Sequence, residues 1–284
     1  MDDLFLLEDR LWILNRPTGL GVYDFAFDRF FACRRPWQRP ERIIAVARRG
    51  AFGNYDEEFL QLSADGVVLV NSPNNYRIAS ELTEWYLSLL DLTPRSLWKV
   101  RKEQDGRDVN AHFIGDELGW PVFVKGSRQT SRHRVDLCVA KNADELQEIC
   151  QRSAVDPILG WQTLVYREFV PLRKVADAQS GQLPTSFEFR TFWWHNELVG
   201  AGPYWIDRAK YDWTEHERAD GLKVASEAAR RLNVPFLVVD IAQTVTGRWI
   251  VIECNDGQES GYAGVSRFAL WNNILLAEAR IVGH

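Results

Sequence analysis

The hydrophobic pattern sharpens at Arg42, where Ile43-Ile-Ala-Val-Ala47 and then Val67-Val-Leu-Val70 form short unbroken apolar runs. Runs of that length read as strands buried on both faces, the habit of parallel sheets. Asn71-Ser-Pro-Asn-Asn75 interrupts the pattern, and an amphipathic helix is predicted from Ile78 to Leu90. Strand, loop and helix in that order make a small α/β unit up to about residue 95, with Thr93-Pro94 as its exit. A second unit begins near Trp98. Pro121-Val-Phe-Val-Lys125 and Val135-Asp-Leu-Cys-Val-Ala140 read as antiparallel strands, followed by a helix from its N-cap Asn142 to about Arg152. Gln162–Val170 is a further strand, closed by Pro171. Beyond a polar insertion, Ser186–Trp194 and Leu198–Gly202 predict a hairpin turning at His195-Asn196. A helix over Thr214–Leu232, a second hairpin and a closing helix over Val265–Arg280 complete the chain. Residues 1–35 show no clean period.

That second hairpin joins Phe236-Leu-Val-Val-Asp240-Ile-Ala-Gln to Thr246-Gly-Arg-Trp-Ile-Val-Ile-Glu253-Cys-Asn255, with Thr246-Gly247 as the turn signal. Alternation turns Glu253 and Asn255 the same way, and Asp240 can join them across the hairpin. Two carboxylates and an amide oxygen on one sheet face suit a hard cation such as Mg²⁺, which completes its shell with water and substrate phosphates. The same residues equally suit the polar face of a solvated hairpin.

Composition narrows the classes. A chain of 284 residues, 46% hydrophobic and 26% charged, is an ordinary globular protein. Its formal charge of -5 argues against a general nucleic-acid binder and leaves room for a local basic patch. Cys33, Cys138, Cys150 and Cys254 show no Cys-x-x-Cys spacing, which fits a reducing compartment. The acidic N-terminus lacks the basic region of a signal peptide, and no apolar run approaches the roughly 18 residues of a membrane span. The expected location is the cytoplasm, away from membranes. The twelve Trp and fifteen Phe are expected to fill the core, with Trp193, Trp194 or Phe169 as candidates to line a flat pocket for a base. The five histidines have no zinc spacing, and neither Gly-x-Ser-x-Gly nor Gly-x-Gly-x-x-Gly is present.

Other residues carry candidate chemistry. Lys125 closes an apolar strand just before Gly126-Ser127, where its ammonium can meet a phosphate as a point charge. The loop adds the Ser127, Thr130 and Ser131 hydroxyls, backbone N–H groups and the cations Arg128, Arg132 and Arg134. A solvated turn, a phosphate-covering loop and an RNA-contacting loop all share this composition, and the Walker spacing is absent. Arg167-Glu168-Phe169-Val170 ends a strand at a junction, where backbone groups can read a purine edge under Phe169 or Val170. Glu188 in the next strand can accept from ribose hydroxyls, and Arg190, on the same face, can meet a phosphate. A cross-strand Glu–Arg surface pair is the alternative for these two.

In order, Val70-Asn-Ser-Pro73, Thr93-Pro94, Pro121-Val-Phe-Val-Lys-Gly-Ser127, Arg167-Glu-Phe-Val170, Phe187-Glu-Phe-Arg190, Val239-Asp240 and Val251-Ile-Glu-Cys-Asn255 resemble the ATP-grasp superfamily over roughly residues 66–279. The resemblance implies an α+β, ATP-grasp fold: a small α/β N-terminal domain over 1–95, then two α+β lobes holding a nucleotide. Their expected spans are about 96–170 for the small lobe and about 171–284 for the large one. It implies Lys125 on the α- and β-phosphates of ATP beside the Ser127 loop, the backbone of Glu168, Phe169 and Val170 on adenine, and Glu188 on ribose. Asp240, Glu253 and Asn255 would hold Mg²⁺ bridging the β- and γ-phosphates. Arg77 stands where many members carry a lysine, the hinge reads Arg167-Glu168, and Lys174–Pro184 is inserted before Glu188. These departures resemble an arginine-rich subset of the superfamily. Arg-Glu-Phe-Val followed by Glu-Phe-Arg is also similar to the cell-division-cycle factors that assemble a translation initiation complex, ATP-grasp proteins acting as chaperones.

The activity this implies is a ligase that activates a carboxylate as an acylphosphate, releases ADP and lets an amine capture the acyl group. An amino acid or peptide is a suitable substrate class. Lys125 and the catalytic candidate Arg190 would neutralise charge on the transferring phosphoryl group. Glu259 and Ser260, after Asn255, either line the acceptor pocket or belong to a plain connecting loop. The alternatives are an ATP-binding assembly factor that performs no ligation and, further off, a nucleic-acid end-modifying enzyme using the 128–134 arginines.

Overall fold

The computed structural model of the protein describes residues 5–8, 11–14, 43–48, 54–64, 66–98, 110–130, 134–178 and 180–282. Ser131, Arg132, His133, Cys33 and most of the 1–35 segment lie outside these residues. Among the described residues no helix is long and apolar enough to cross a membrane.

Strands β1 (Phe5–Glu8), β2 (Leu11–Leu14), β3 (Ile43–Arg48) and β4 (Val67–Leu69) form one sheet in the order β2-β1-β3-β4. The two apolar runs pair in parallel, as their unbroken hydrophobicity predicts. Helix α1 (Tyr55–Ala64) covers this sheet through Tyr55, which stacks on Tyr76 at 4.0 Å. The helix expected over 78–90 starts earlier and is broken. Ser72 Oγ accepts from Asn75 N at 3.2 Å and Pro73 fills the first position, which opens α2 (Pro73–Ser80). Glu81 is extended, and α3 (Leu82–Trp85) and a 3-10 turn over Tyr86–Leu89 follow. The break has a tertiary cause: Leu82 N donates to Ser127 O at 2.9 Å, and the Glu81 carboxylate holds Arg128.

A second, antiparallel sheet has the order β5 (Ser96–Trp98), β8 (Leu164–Glu168), β6 (Val122–Gly126), β7 (Val139–Ala140). Helices α4 (Ala111–Leu118) and α6 (Ala143–Ser153) close one face over Val122, Val124 and Tyr166. Asn142 caps α6 as predicted, accepting from Glu145 N at 2.9 Å. The strand expected over Val135–Ala140 survives only at its end, because Val135–Cys138 is a turn of helix, α5. The polar insertion contributes β9 (Lys174–Ala176), paired with β10 (Thr185–Ser186).

The largest sheet runs β12 (Glu197–Pro203), β11 (Glu188–Trp194), β13 (Phe236–Gln243), β14 (Trp249–Asp256), all antiparallel. His195 and Asn196, both at positive φ, make the tight β11–β12 turn. Helix α7 (Glu215–Leu232), opened by a Thr214/Glu217 capping box, packs its alanines on the face formed by Phe189, Trp193, Val239 and Ile241. Helix α8 (Arg267–Val282) covers the opposite face over Phe192, Trp194, Phe236 and Val238. Trp193 and Trp194 are thus core residues on opposite faces of one strand, which removes both as candidates for a base pocket. Strand alternation leaves Glu188, Arg190 and Asp240 on the α8 side, beyond the apolar cluster.

A buried polar network joins the first sheet to the end of β14. Asp256 accepts from Asn71 Nδ2 at 3.0 Å and Gln258 N at 2.5 Å, while Asn71 bonds both backbone groups of Phe236. Gln258 Nε2 donates to Tyr55 Oη at 2.8 Å, and Tyr55 donates to Asn71 O at 2.7 Å. Burial pushes the Asp256 carboxyl from the ordinary 3.8 up to about 7, with Asn71 and Gln258 pulling the other way.

Between roughly pH 4 and about 7 the native state therefore holds a proton that the unfolded state has lost, so this residue's contribution to stability falls as pH rises through that window. Asp256→Asn mimics the protonated acid. Relative to the parent, its Tm is expected to become steadily more favourable from pH 5 to pH 7 and to level off above. A constant Tm difference across this range in calorimetry would refute the assignment.

Candidate functional site

The site lies where the inner face of the second sheet meets the β13–β14 hairpin. Asp240 stands opposite Glu253 in the ladder, but the next pair is Ile241 with Val251, so Ile252 is an extra residue. This β-bulge shifts the alternation of β14 by one. Trp249 and Val251 pack in the α7 core before it, Cys254 does so after it, and Glu253 turns instead to the Asp240 face. Asn255 follows Glu253 on that face and is half-buried.

Each carboxylate of the predicted metal set already holds a cation. Arg190 reaches Asp240 with both arms, Nε to Oδ1 at 2.9 Å and Nη2 to Oδ2 at 2.7 Å, and also donates to Gly261 O. The guanidinium lies 4.7 Å from the Tyr204 ring. Lys125 Nζ donates to Glu253 Oε1 at 2.7 Å, with the lysine side chain almost fully buried. Burial raises the Asp240 pKa against the pull of Arg190. Burial works against the Arg190 charge too, yet Asp240 outweighs it and holds the guanidinium protonated.

Glu188 is buried, accepting from Ser186 Oγ at 2.8 Å and Trp205 Nε1 at 3.1 Å. Burial, and then the Asp240 charge, push its carboxyl up to about 7. Glu188 and Arg190 are both buried, so the surface-pair alternative does not hold. Arg167, on the same face of β8 as Lys125 on β6, donates to Ser96 Oγ, Thr93 Oγ1 and Ile252 O. Burial lowers its pKa to about 10, opposed by the Glu253 charge. Past Arg167, Glu168 N donates to Arg95 O at 2.8 Å and its carboxylate pairs loosely with Arg95, while Phe169 and Val170 are half-buried at the junction.

The loop after Lys125 differs from its expected form. Its early N–H groups are committed within the protein: Ser127 N donates to Thr163 O, and Arg128 N and Gln129 N converge on Gln162 Oε1 at 2.9 and 3.0 Å. Gln162 lies so close that a Cβ on Gly126 would meet its Oε1 at 2.1 Å. Ser127 Oγ donates to Glu81 Oε2 at 3.3 Å. Arg128 binds Glu81 at 2.8 Å and donates to Tyr76 Oη at 2.9 Å, and Tyr76 donates to Glu259 Oε1 at 2.7 Å. The loop is thereby fastened to α2, α3 and the 257–261 segment. Arg48 donates to Gly257 O and Ser260 O from the other side. Arg77 stands apart, paired with Asp56 on the surface. Gln162, Glu81, Tyr76 and Arg48 carry no signal in the sequence pattern, since none belongs to a local motif.

The donor set fits a hard divalent cation. Among the described residues no group of three or more His, Cys, Asp and Glu is placed to hold a metal, so any ion here would rest on Asp240, Glu253 and the Asn255 amide. Mg²⁺ accepts such a partial oxygen shell because it keeps several waters and takes phosphate oxygens.

Residues 117–274 match the family model described as ATP-grasp domain, R-2-K clade family 3. No curated protein matches the sequence. Among solved structures, D-alanine–D-alanine ligase from Bacillus anthracis complexed with ATP is similar at 14% identity, TM-score 0.58, over 85% of this chain and 79% of that one. A RimK domain ATP-grasp protein from Sphaerobacter thermophilus is similar at 15% identity, TM-score 0.52, over 76% and 73%. Both share the fold, which is therefore ATP-grasp, as the sequence resemblance implied. Cdc123 from Schizosaccharomyces pombe matches at 13% identity and a TM-score of 0.45, over 66% of this chain and 86% of that one.

The buried Arg190–Asp240 pair yields a stability test. Arg190→Met strands a buried carboxylate and is expected to cost about 3–5 kcal/mol in urea unfolding. Arg190→Met with Asp240→Leu is expected to recover most of that loss, since an apolar pair of similar volume is tolerated in such a place. A double-variant loss equal to the sum of the losses of Arg190→Met and Asp240→Leu measured singly would show that the two residues are not energetically coupled.

Proposed function

We propose, for a chain that belongs to family 3 of this clade of ATP-grasp domains, that it is a ligase which activates a carboxylate with ATP and passes the acyl group to an amine. The observation that carries this reading is the pairing of two cations with two carboxylates where the second sheet meets the β13–β14 hairpin. In this reading the phosphates of ATP draw Lys125 and Arg190 away from Glu253 and Asp240. Those two carboxylates and the Asn255 amide would then hold Mg²⁺, which would supply charge neutralisation on the phosphates. Supporting the nucleotide, the similar D-alanine–D-alanine ligase structure is complexed with ATP.

Within this reading the domains run over 1–95, 96–170 and 171–284. Lys125 holds the α- and β-phosphates beside the Ser127 loop, the Glu168–Val170 backbone takes the adenine edge, and Glu188 the ribose hydroxyls. Arg190, held at Gly261 and having exchanged Asp240 for the γ-phosphoryl group, favours its transfer by stabilising charge that moves during the step. The acid attacks phosphorus through its carboxylate oxygen, the bond to ADP breaks, and an amine then displaces phosphate from the acylphosphate. Glu259 and Ser260, tied by Tyr76 and Arg48, border the acceptor side. The substrate class is an amino acid or peptide, and the setting is cytoplasmic.

Two measurements test this. Mg-ATP at about 100 times its Kd is expected to add about 2.7 kcal/mol of apparent stability. With a pool of amino acids and short peptides, turnover is expected to depend on an added acid, release ADP and phosphate, and yield a hydroxamate when hydroxylamine is present. Release of AMP would overturn the mechanism. Tight Mg-ATP binding with no turnover for any acid would replace the ligase by an ATP-binding assembly role.

A further inference from the structure

We propose that Arg167 is the positioning residue that holds the Ile252 bulge in place and so decides which way Glu253 faces, an inference whose functional meaning rests on the metal set proposed above. A bulge leaves the extra residue without its normal ladder partners. Here the Ile252 carbonyl accepts from Arg167 Nη1 at 2.8 Å. The same guanidinium reaches Thr93 Oγ1 at 2.5 Å and Ser96 Oγ at 3.1 Å. Thr93 in turn donates to Val251 O at 2.9 Å, and Leu92 O accepts from Val251 N at 2.7 Å. The backbone of the inserted residue and of the one before it is therefore pinned by one buried arginine, one threonine and the Leu92 carbonyl.

The geometry is unusual in its choice of donor. Burying a guanidinium is costly, and its partners here are neutral oxygens rather than a carboxylate, so the pinning is not explained as a stabilising ion pair. What the arrangement achieves is direction. Lys125 and Arg167 share one face of the second sheet, and they grip consecutive residues of β14, the first by the Glu253 carboxylate and the second by the Ile252 carbonyl. If the bulge relaxes into a regular ladder, every later side chain exchanges faces. Glu253 would then point to the α7 core, and Cys254, now fully buried there, would come out to the site.

That exchange gives a readout independent of any ligand. In the full-length protein, alkylation of native-state thiols with iodoacetamide is followed by peptide mapping, with the buried Cys138 as internal control. Arg167→Met is expected to speed labelling of Cys254 at least tenfold while Cys138 stays within twofold of the parent, and Arg167→Lys is expected to restore slow labelling in part. In parallel, Mg²⁺ titrated against a saturating ATP analogue is expected to bind at least tenfold more weakly to Arg167→Met, with metal-free nucleotide affinity little changed. If Arg167→Met fails to fold, Thr93→Val, which removes one anchor of the guanidinium, is expected to give the same selective labelling at a smaller size, about threefold. Parent-like Cys254 labelling in the folded variant overturns the inference. Glu253→Gln serves as the comparator: if it keeps the parent's Mg²⁺ dependence, the metal reading fails, while the thiol result still decides the role of Arg167.

Discussion

The extra residue at Ile252 governs the direction of every side chain that follows it in β14. Trp249 and Val251 face α7, and an uninterrupted strand would carry Glu253 to that side, among Phe189, Val239 and Ile241. A carboxylate there would lose its hydration with no cation in reach, a penalty no packing gain offsets. The bulge hands the core position to Cys254 and brings Glu253 round to Asp240 and Lys125. A single irregularity in the ladder thus separates a greasy face from a charged one within a few residues.

Once the four charged groups share a poorly hydrated space, they constrain one another. Lys125 with Glu253 and Arg190 with Asp240 balance to zero, which is how so much charge stays buried without a ligand. The same balance shapes the proposed chemistry. A phosphate chain alone would draw the cations away and leave two carboxylates exposed to each other, and a divalent cation alone would strand the lysine and arginine. In the proposed function, metal and nucleotide arriving together would satisfy both halves at once.

The surrounding framework holds this arrangement from three sides. Asn71, Asp256, Gln258 and Tyr55 weld the first sheet to the end of β14, and Arg48 fastens the 257–260 segment from the edge of β3. Glu81 and Gln162 take up the polar groups of the loop after Lys125, which fixes the start of that loop before any ligand is present. Arg128, Tyr76 and Glu259 then link the loop to the 257–261 segment.

Local pattern determined much of this protein. The unbroken runs at 43–47 and 67–70 specify parallel strands, Thr246-Gly247 sets the last hairpin, Asn142 caps its helix, and alternation along β11 puts Glu188 and Arg190 on one face, because hydrophobic periodicity and turn chemistry act over a few residues. The order of short motifs was enough to point to the ATP-grasp fold. What the sequence could not reveal depends on groups far apart in the chain meeting in space. Glu81 breaks a helix because Ser127 and Arg128 claim it, Val135–Cys138 leaves the ladder for a helical turn, and Trp193 and Trp194 go to the core rather than to a base. Nothing in Val251-Ile-Glu-Cys-Asn255 announces a bulge, since that residue's carbonyl is held by Arg167 from another sheet. Only tertiary packing could decide it, because the energy that holds the irregularity comes from a buried donor outside the strand.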